Sequence, residues 1–272
     1  MSESSPTRTP ADTTIHGVHV ALDGNPAAPP LLLIHGSGAT GSTWAPVVPS
    51  LAAEYRVITI DLPGCGRSAP ASTYTVAQQA DRTAAVLDEL GVRNLTVVGH
   101  SSGGYVATSL IERRPDLVGD LVLVSTGPSH AALLPEPAIL RILASPPFGP
   151  LVWAIRTESM IRRALAATAA VPITVPDRAV ADMRRTSYRA FRAILAAYRD
   201  YLAERTVPQR LIDTGKPLLA IFGDSDPRWD PASAHQYEEV PGAELTYLRG
   251  VGHMAMLEDG DALARMILHR AP

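Results

Sequence analysis

The sequence predicts an α/β protein in which a mostly parallel, doubly wound sheet is interrupted by an all-helical insertion. Two observations predict the sheet: short runs of branched apolar residues recur without polar alternation, and segments of helical period separate them. A third observation predicts the insertion. Residues 128–213 contain helical patterns with no apolar run between them that is typical of a strand.

The first half of the predicted sheet consists of four apolar runs. Strands that are buried on both faces have this composition, because helices cover both sides of a parallel sheet. Between the second and third runs, apolar residues recur at helical spacing up to Gly91, a residue typical of a helix C-terminus. A second helix is predicted over residues 102–114 and ends at Pro115. The four runs are residues 31–34, 57–60, 95–98 and 121–124.

The same alternation returns after Lys216. Strands are predicted at residues 218–222 and 245–248, and helices at residues 232–239 and 261–269. One α/β core is therefore predicted from two stretches of the chain, residues 14–127 and 214–272.

The insertion, residues 128–213, is predicted to form a helical cap. It opens with several prolines, and it carries 12 arginines against 7 acidic residues, whereas the rest of the chain is acidic. We expect the cap to lie over the carboxyl ends of the strands, where ligands bind in such sheets. One of its helices has an aromatic stripe at steps of three and four, which we interpret as core packing rather than pocket lining. The stripe is Tyr188, Phe191, Leu195, Tyr198 and Tyr201.

Composition restricts the classes of function. The chain has 272 residues, a net charge of −3 and one cysteine, Cys65. The charge balance gives no general reason to bind nucleic acid, and one cysteine excludes an intrachain disulfide and a thiolate-rich zinc site. Residues 1–13 are rich in Ser, Thr and Pro, which predicts a disordered tail and no secretory signal. No stretch is apolar enough to span a bilayer, so we expect a cytoplasmic protein without membrane association. We also expect no metal and no cofactor.

A Gly-x-Ser-x-Gly motif follows the third apolar run. Residues 99–104 are Gly-His-Ser-Ser-Gly-Gly and lie between a predicted strand and a predicted helix. This turn is so sharp that the serine is strained, and side chains at Gly99 and Gly103 would collide with their surroundings. In this setting the motif predicts that Ser101 is a nucleophile. In an arbitrary loop the same five residues would be weak evidence.

A serine hydroxyl needs a base and a carboxylate that orients the base. Among the eight histidines, His253 is the predicted base, because it follows the last strand in a glycine-rich loop. Asp226 is the predicted acid, since it lies in the loop after the preceding strand. Asp224 in the same loop is the alternative, and we interpret it as a turn-forming residue. The chain order Ser101, Asp226, His253 is the one expected of this architecture.

Two backbone amides are predicted to bind the oxyanion of a tetrahedral intermediate. One belongs to Ser102, at the start of a helix whose dipole favours negative charge. The other is assigned to Ser37, with Gly38 as the alternative, in the loop after the first apolar run. The side chain of His35 in that loop is interpreted as structural, because the site needs the backbone of the loop rather than an imidazole.

Together these motifs resemble the α/β-hydrolase fold family in its capped form, over nearly the whole chain except the tail and the insertion. The segment Asp-Leu-Pro-Gly-Cys-Gly-Arg-Ser, residues 61–68, is similar to a family loop next to the active site. Trp44 resembles a structural position that opens the first helix. The resemblance implies a serine hydrolase that needs no cofactor.

Departures from particular relatives narrow the implied reaction. Ser101 stands where epoxide hydrolases and haloalkane dehalogenases of the family have Asp, which argues against those chemistries. Ser37 and Ser102 stand where cofactor-free haloperoxidases usually have an aromatic residue and Met. Carbon–carbon bond hydrolases of ring-cleavage products usually have Trp directly after the catalytic His, where this chain has Met254.

The expected activity is hydrolysis of a carboxylic ester or lactone with an apolar portion, through an acyl-enzyme on Ser101. Two alternatives stay open. One is a carbon–carbon bond hydrolase that uses the same triad, and the other is a small-molecule receptor that turns over slowly. The partner is expected to be a small-molecule substrate, and a homodimer is an assembly that the sequence leaves open.

Overall fold

A central eight-stranded sheet forms the core of the computed structural model, which describes residues 11–136, 138–139, 142 and 145–270. The strands are β1 (Ala11–Ile15), β2 (Val18–Asp23), β3 (Pro30–Ile34), β4 (Arg56–Ile60), β5 (Leu95–His100), β6 (Val118–Val124), β7 (Leu218–Gly223) and β8 (Glu244–Leu248). Their order is β1-β2-β4-β3-β5-β6-β7-β8. The β1/β2 and β2/β4 pairs are antiparallel and the remaining pairs are parallel. The predicted α/β class with a mostly parallel sheet is confirmed.

Apolar clusters lie on both faces of this sheet, and the described residues form helices in the core and the insertion. They are α1 (Val48–Leu51), α2 (Val76–Glu89), α3 (Gly103–Arg113), α4 (Phe148–Ile155), α5 (Glu158–Ala166), α6 (Asp177–Arg185), α7 (Tyr188–Glu204), α8 (Val207–Leu211), α9 (Ala255–Glu258) and α10 (Gly260–Leu268). Short 3₁₀ segments lie at Gly41–Trp44, His130–Ala132, Ile212–Thr214 and Pro231–Glu239. The last of these overlaps the helix predicted at residues 232–239, and the structure makes it a 3₁₀ rather than an α-helix. Its hydrogen bonds instead join residues three apart, as from the Ser233 amide to Asp230 O.

The strand β3 shows why the central runs lack polar alternation. Leu31 and Leu33 pack in one apolar cluster, while Leu32 and Ile34 pack in a second cluster on the other face of the sheet. All four side chains are fully buried. Since both faces of the strand are covered, no position in it is available to a polar residue.

The N-terminal strand corrects the predicted boundary of the disordered tail. β1 begins at Ala11, so the last three residues of the predicted tail pair with β2 in a hairpin. The turn uses His16 and Gly17, with φ of +50° and +78°, which suits a tight hairpin connection. Side chains of β1 are mostly exposed, so no apolar pattern marks this strand in the sequence. Residues 1–10 of the predicted tail lie outside the described residues.

Between β6 and β7 the described part of the chain contributes helices and no strand to the sheet. The Val207 amide donates to Pro128 O at 2.8 Å, so the two ends of this segment meet beside the core. In α7, Tyr198 and Tyr201 are buried against α2 and α3, as expected of core packing, whereas Phe191 at the other end is only half-buried. Within the described ranges, no helix combines the length and the apolar character that a bilayer crossing requires.

Candidate active site

Ser101 lies on a tight turn between β5 and α3. Its φ is +51°, in the left-handed region that side-chain-bearing residues rarely adopt. A Cβ atom on Gly99 would lie 2.6 Å from Gly104 Cα, and a Cβ atom on Gly103 would lie 2.5 Å from His35 O. The glycines of the Gly-x-Ser-x-Gly motif therefore allow the strand, the turn and the helix to pack this closely.

His253 and Asp226 form a buried pair. His253 Nδ1 and Asp226 Oδ2 are 2.8 Å apart, while Asp226 Oδ1 accepts from the amides of Arg228 at 2.8 Å and Trp229 at 3.2 Å. Burial acts to raise the pKa of Asp226, but the charge of His253 and these hydrogen bonds outweigh it, and the pKa lies below its ordinary value. An ionised Asp226 keeps the proton on His253 Nδ1 and leaves Nε2 as the basic nitrogen.

The alternative acid, Asp224, does not contact His253. Its exposed carboxylate accepts from the Gly250 amide at 2.7 Å and from the Ser225 hydroxyl at 3.0 Å. It thus stabilises the turn that leads toward the loop of His253, residues 249–254 (the histidine loop). This agrees with its interpretation as a turn-forming residue. Of the two predicted acids, the structure brings Asp226 to the histidine.

His100 attaches the histidine loop to the residue before Ser101. His100 Nε2 donates to His253 O at 2.8 Å, and the two imidazole rings lie 4.9 Å apart. The buried Trp44 ring lies edge-on to His100 at 6.2 Å. Burial, followed by the charge of His253, lowers the pKa of His100 to about 3. The His100 ring is therefore neutral at neutral pH and acts as a structural link.

The two predicted oxyanion residues are in direct contact. The Ser37 amide donates to Ser102 Oγ at 2.7 Å, and Ser102 Oγ donates to Ser37 Oγ at 3.1 Å. A Cβ atom on Gly36 would lie 3.0 Å from Ser101 Cβ, so the loop that contains Ser37 lies against the turn that carries Ser101. In the free protein the Ser37 amide therefore already donates its hydrogen bond to the Ser102 hydroxyl.

His35 and Asp61 hold the predicted oxyanion loop, residues 35–41, from the core side. His35 Nδ1 donates to Gly36 O at 2.8 Å, and His35 Nε2 accepts from the Leu62 amide at 2.9 Å. Burial lowers the pKa of His35, so the ring stays neutral and can make both contacts. The buried Asp61 carboxylate accepts from the Gly41 amide at 2.8 Å. The side chain of His35 thus bonds to backbone at both ring nitrogens, which is the structural role expected of it.

Aromatic side chains of the insertion lie above the oxyanion loop. A Cβ atom on Gly38 would lie 3.5 Å from Phe191 Cε2. Trp153 stacks on Phe191, with ring centroids 4.5 Å apart and planes inclined by 25°, and the Arg156 guanidinium lies 4.1 Å from the centre of the Trp153 ring. Phe191, predicted as core packing, is instead half-buried and lies beside the loop at Gly38. Trp153 carries no sequence signal that could have identified it.

A buried carboxylate of the insertion, Asp182, ties it to loops beside the site. Asp182 is 1% exposed and accepts from Ser42 Oγ at 2.6 Å and from Arg67 Nε at 2.9 Å. Arg67 belongs to the segment 61–68 that the sequence marked as a loop near the active site. The insertion is thus fixed to the core close to the oxyanion loop.

Residues 31–266 match the Alpha/beta hydrolase family, and the chain therefore belongs to that family. An uncharacterized protein of Mycobacterium tuberculosis is 31% identical over 263 residues, which cover 90% of this chain and 76% of that protein. A pimeloyl-[acyl-carrier protein] methyl ester esterase of Aeromonas hydrophila is 29% identical over 251 residues, 89% of this chain and 94% of the esterase. The solved structure of Cfl2 from Burkholderia cenocepacia is similar with a TM-score of 0.80 and 25% identity, over 97% of this chain and 95% of that chain. The fold and the family together define a hydrolase.

Proposed function

We propose that this protein is a serine hydrolase that cleaves a carboxylic ester or lactone through an acyl-enzyme on Ser101. One observation carries the proposal: Ser101 is held at a φ of +51° on a strand-to-helix turn, next to a loop in which His253 pairs with Asp226 at 2.8 Å. A nucleophile, a base and an orienting carboxylate are the groups that acyl transfer needs. The similarity to an esterase over 89% of the chain supports the same class of reaction.

In the proposed acylation, His253 Nε2 takes the hydroxyl proton as Ser101 Oγ attacks the carbonyl carbon. The electron pair of the carbonyl moves onto its oxygen, which accepts from the amides of Ser102 and Ser37. The bond to the alcohol oxygen then breaks, and His253 returns the proton to that oxygen. The alcohol leaves and the acyl group stays on Ser101.

The second half of the cycle uses the same groups with water. His253 takes a proton from a water molecule as the water oxygen attacks the acyl carbon, which forms a second tetrahedral intermediate. The bond between the acyl carbon and Ser101 Oγ then breaks, His253 returns the proton to Ser101 Oγ, and the carboxylic acid leaves. Because the Ser37 amide donates to Ser102 Oγ at 2.7 Å in the free protein, the hydroxyl of Ser102 must turn away each time an oxyanion forms. The Gly38 amide is the alternative second donor.

The apolar part of the substrate is proposed to lie against Phe191 and Trp153. Phe191 lies directly over the oxyanion loop, and the stacked ring of Trp153 extends the same apolar wall. An ester carbonyl bound at Ser101 would therefore direct one of its two substituents toward these rings.

The test compares the wild type with Ser101→Ala on short p-nitrophenyl esters. Loss of the nucleophile is expected to reduce kcat/KM by at least about 10³-fold while the circular dichroism spectrum stays unchanged. Ser225→Ala is the matched control, because Ser225 is exposed and bonds to Asp224 rather than to the proposed machinery. Undiminished hydrolysis by Ser101→Ala would contradict the proposal.

The same assay separates the alternatives. A carbon–carbon bond hydrolase would turn over a ring-cleavage dienoate and leave the esters nearly untouched. A receptor would react once with a fluorophosphonate at Ser101 and bind its ligand tightly, with negligible turnover across a broad ester panel.

A further inference from the structure

A carboxylate outside the triad, Glu258, binds the backbone on both sides of His253. Glu258 ends α9, five residues after the histidine. Its Oε2 accepts from the Gly252 amide at 2.7 Å, and its Oε1 accepts from the Met254 amide at 2.8 Å. The two residues that flank His253 are therefore held by one side chain.

The same carboxylate also reaches the insertion between β6 and β7. Glu258 Oε2 accepts from the Ala170 amide at 2.8 Å, and the His253 amide donates to Thr168 O at 2.9 Å. A Cβ atom on Gly252 would lie 2.6 Å from the nitrogen of Ala170. The backbone of residues 168–170 thus lies directly on the residue before His253, and Glu258 closes this contact.

The chemistry of the contact makes it specific for a carboxylate. An ionised carboxylate accepts several amide hydrogens at once, and hydrogen bonds to a charged acceptor are stronger than those between neutral groups. A glutamine of the same shape has one oxygen and one NH₂ group. Because all three backbone partners are donors, that NH₂ group would face at least one N–H and leave it unpaired.

We propose that Glu258 is a positioning residue that fixes the imidazole of His253 and couples it to residues 168–170 of the insertion. This inference rests on the proposed function, in which His253 is the base. Asp226 sets which ring nitrogen carries the proton, whereas Glu258 sets where the backbone of the histidine lies. A substrate that displaces residues 168–170 would therefore also displace the base.

The first test is Glu258→Gln, with Glu239→Gln as the control for the same change of charge at an exposed position. A small displacement of a catalytic group costs up to about 10²-fold in rate, so kcat for a p-nitrophenyl ester is expected to fall about 10- to 100-fold. KM should stay within about twofold, because Glu258 does not contact the substrate. Glu239→Gln should match the wild type in both parameters.

Gly252→Ala disrupts the same contact at the residue that precedes His253. Its new Cβ would collide with the nitrogen of Ala170, so the two segments must separate. This variant is expected to lower kcat in the same direction as Glu258→Gln, and it keeps the inference testable if Glu258→Gln fails to fold.

A spectroscopic readout separates positioning from a purely structural role. The His253 Nδ1 proton, hydrogen-bonded to Asp226 at 2.8 Å, should give a downfield proton resonance. We expect this resonance to shift or broaden in Glu258→Gln and to be unchanged in Glu239→Gln. An unchanged resonance, or a kcat within about twofold of the wild type, would overturn the inference. If the wild type hydrolysed no ester, the proposed function would fail, and the resonance would still decide the role of Glu258.

Discussion

Replacing Asp226 with asparagine should invert the proton position on His253. Asp226 Oδ1 accepts from the amides of Arg228 and Trp229, and both amides are donors. An asparagine at this position must keep its carbonyl oxygen toward these amides, so its NH₂ group faces His253 Nδ1. Nδ1 can then act only as an acceptor, and the ring proton moves to Nε2.

The expected cost follows from this geometry. A histidine with its proton on Nε2 cannot accept the proton of Ser101, so the loss approaches that of an absent base. Fixing the wrong tautomer in a serine triad lowers kcat by about 10⁴-fold. This corresponds to about 5.5 kcal/mol of transition-state stabilisation.

The assay is hydrolysis of a p-nitrophenyl ester by Asp226→Asn, with Asp224→Asn as the matched control. The control removes the same charge from the same loop, but Asp224 is exposed and bonds to Gly250 rather than to His253. It should therefore stay within about twofold of the wild type, because the asparagine oxygen can still accept from the Gly250 amide and no contact to His253 is lost. A kcat for Asp226→Asn within about tenfold of the wild type, at an unchanged melting temperature, would refute the reasoning.

Two further predictions concern the groups beside the triad. Ser102→Ala keeps its own amide and frees the amide of Ser37, so kcat/KM should rise about fivefold, the equivalent of one neutral hydrogen bond. A fall of similar size would instead make the Ser102 hydroxyl an oxyanion donor. His100 has a folded-state pKa of about 3, whereas the ordinary histidine value is about 6.5. Between these values the unfolded chain binds the extra proton, so stability falls as the pH decreases, by up to about 1.4 kcal/mol per pH unit. The melting temperature of His100→Gln should therefore fall less steeply than that of the wild type between about pH 7 and pH 4. Parallel curves of melting temperature against pH for the two proteins would contradict this.

Local patterns predict the central strands because burial on both faces leaves an unbroken apolar run. β3 and β4 begin one residue before the predicted runs, and β5 ends two residues later. The apolar pattern does not predict β1, since the side chains of β1 are mostly exposed and its register depends on pairing with β2. The sequence predicts a helix near Pro231–Glu239 but not its 3₁₀ type, because helical spacing does not distinguish hydrogen bonds to the third residue from those to the fourth.

The candidate site also has a part that the sequence predicts and a part that it does not. Ser101, Asp226 and His253 each follow a strand in a short motif, so their neighbourhood could be inferred from the order of the strands. The contacts that surround them join distant parts of the chain, such as Ser42 to Asp182 across 140 residues and Ala170 to Glu258 across 88 residues. No local pattern carries such information.

Trapping the covalent intermediate tests the central claim most directly. Wild-type protein is mixed with p-nitrophenyl acetate and quenched in acid during the first turnover, and its peptides are then mapped by mass spectrometry. The account predicts one acetyl group per chain, on the peptide that contains Ser101 and absent from Ser101→Ala. Ester hydrolysis that persists in Ser101→Ala, or an acetyl group on another residue, would contradict it.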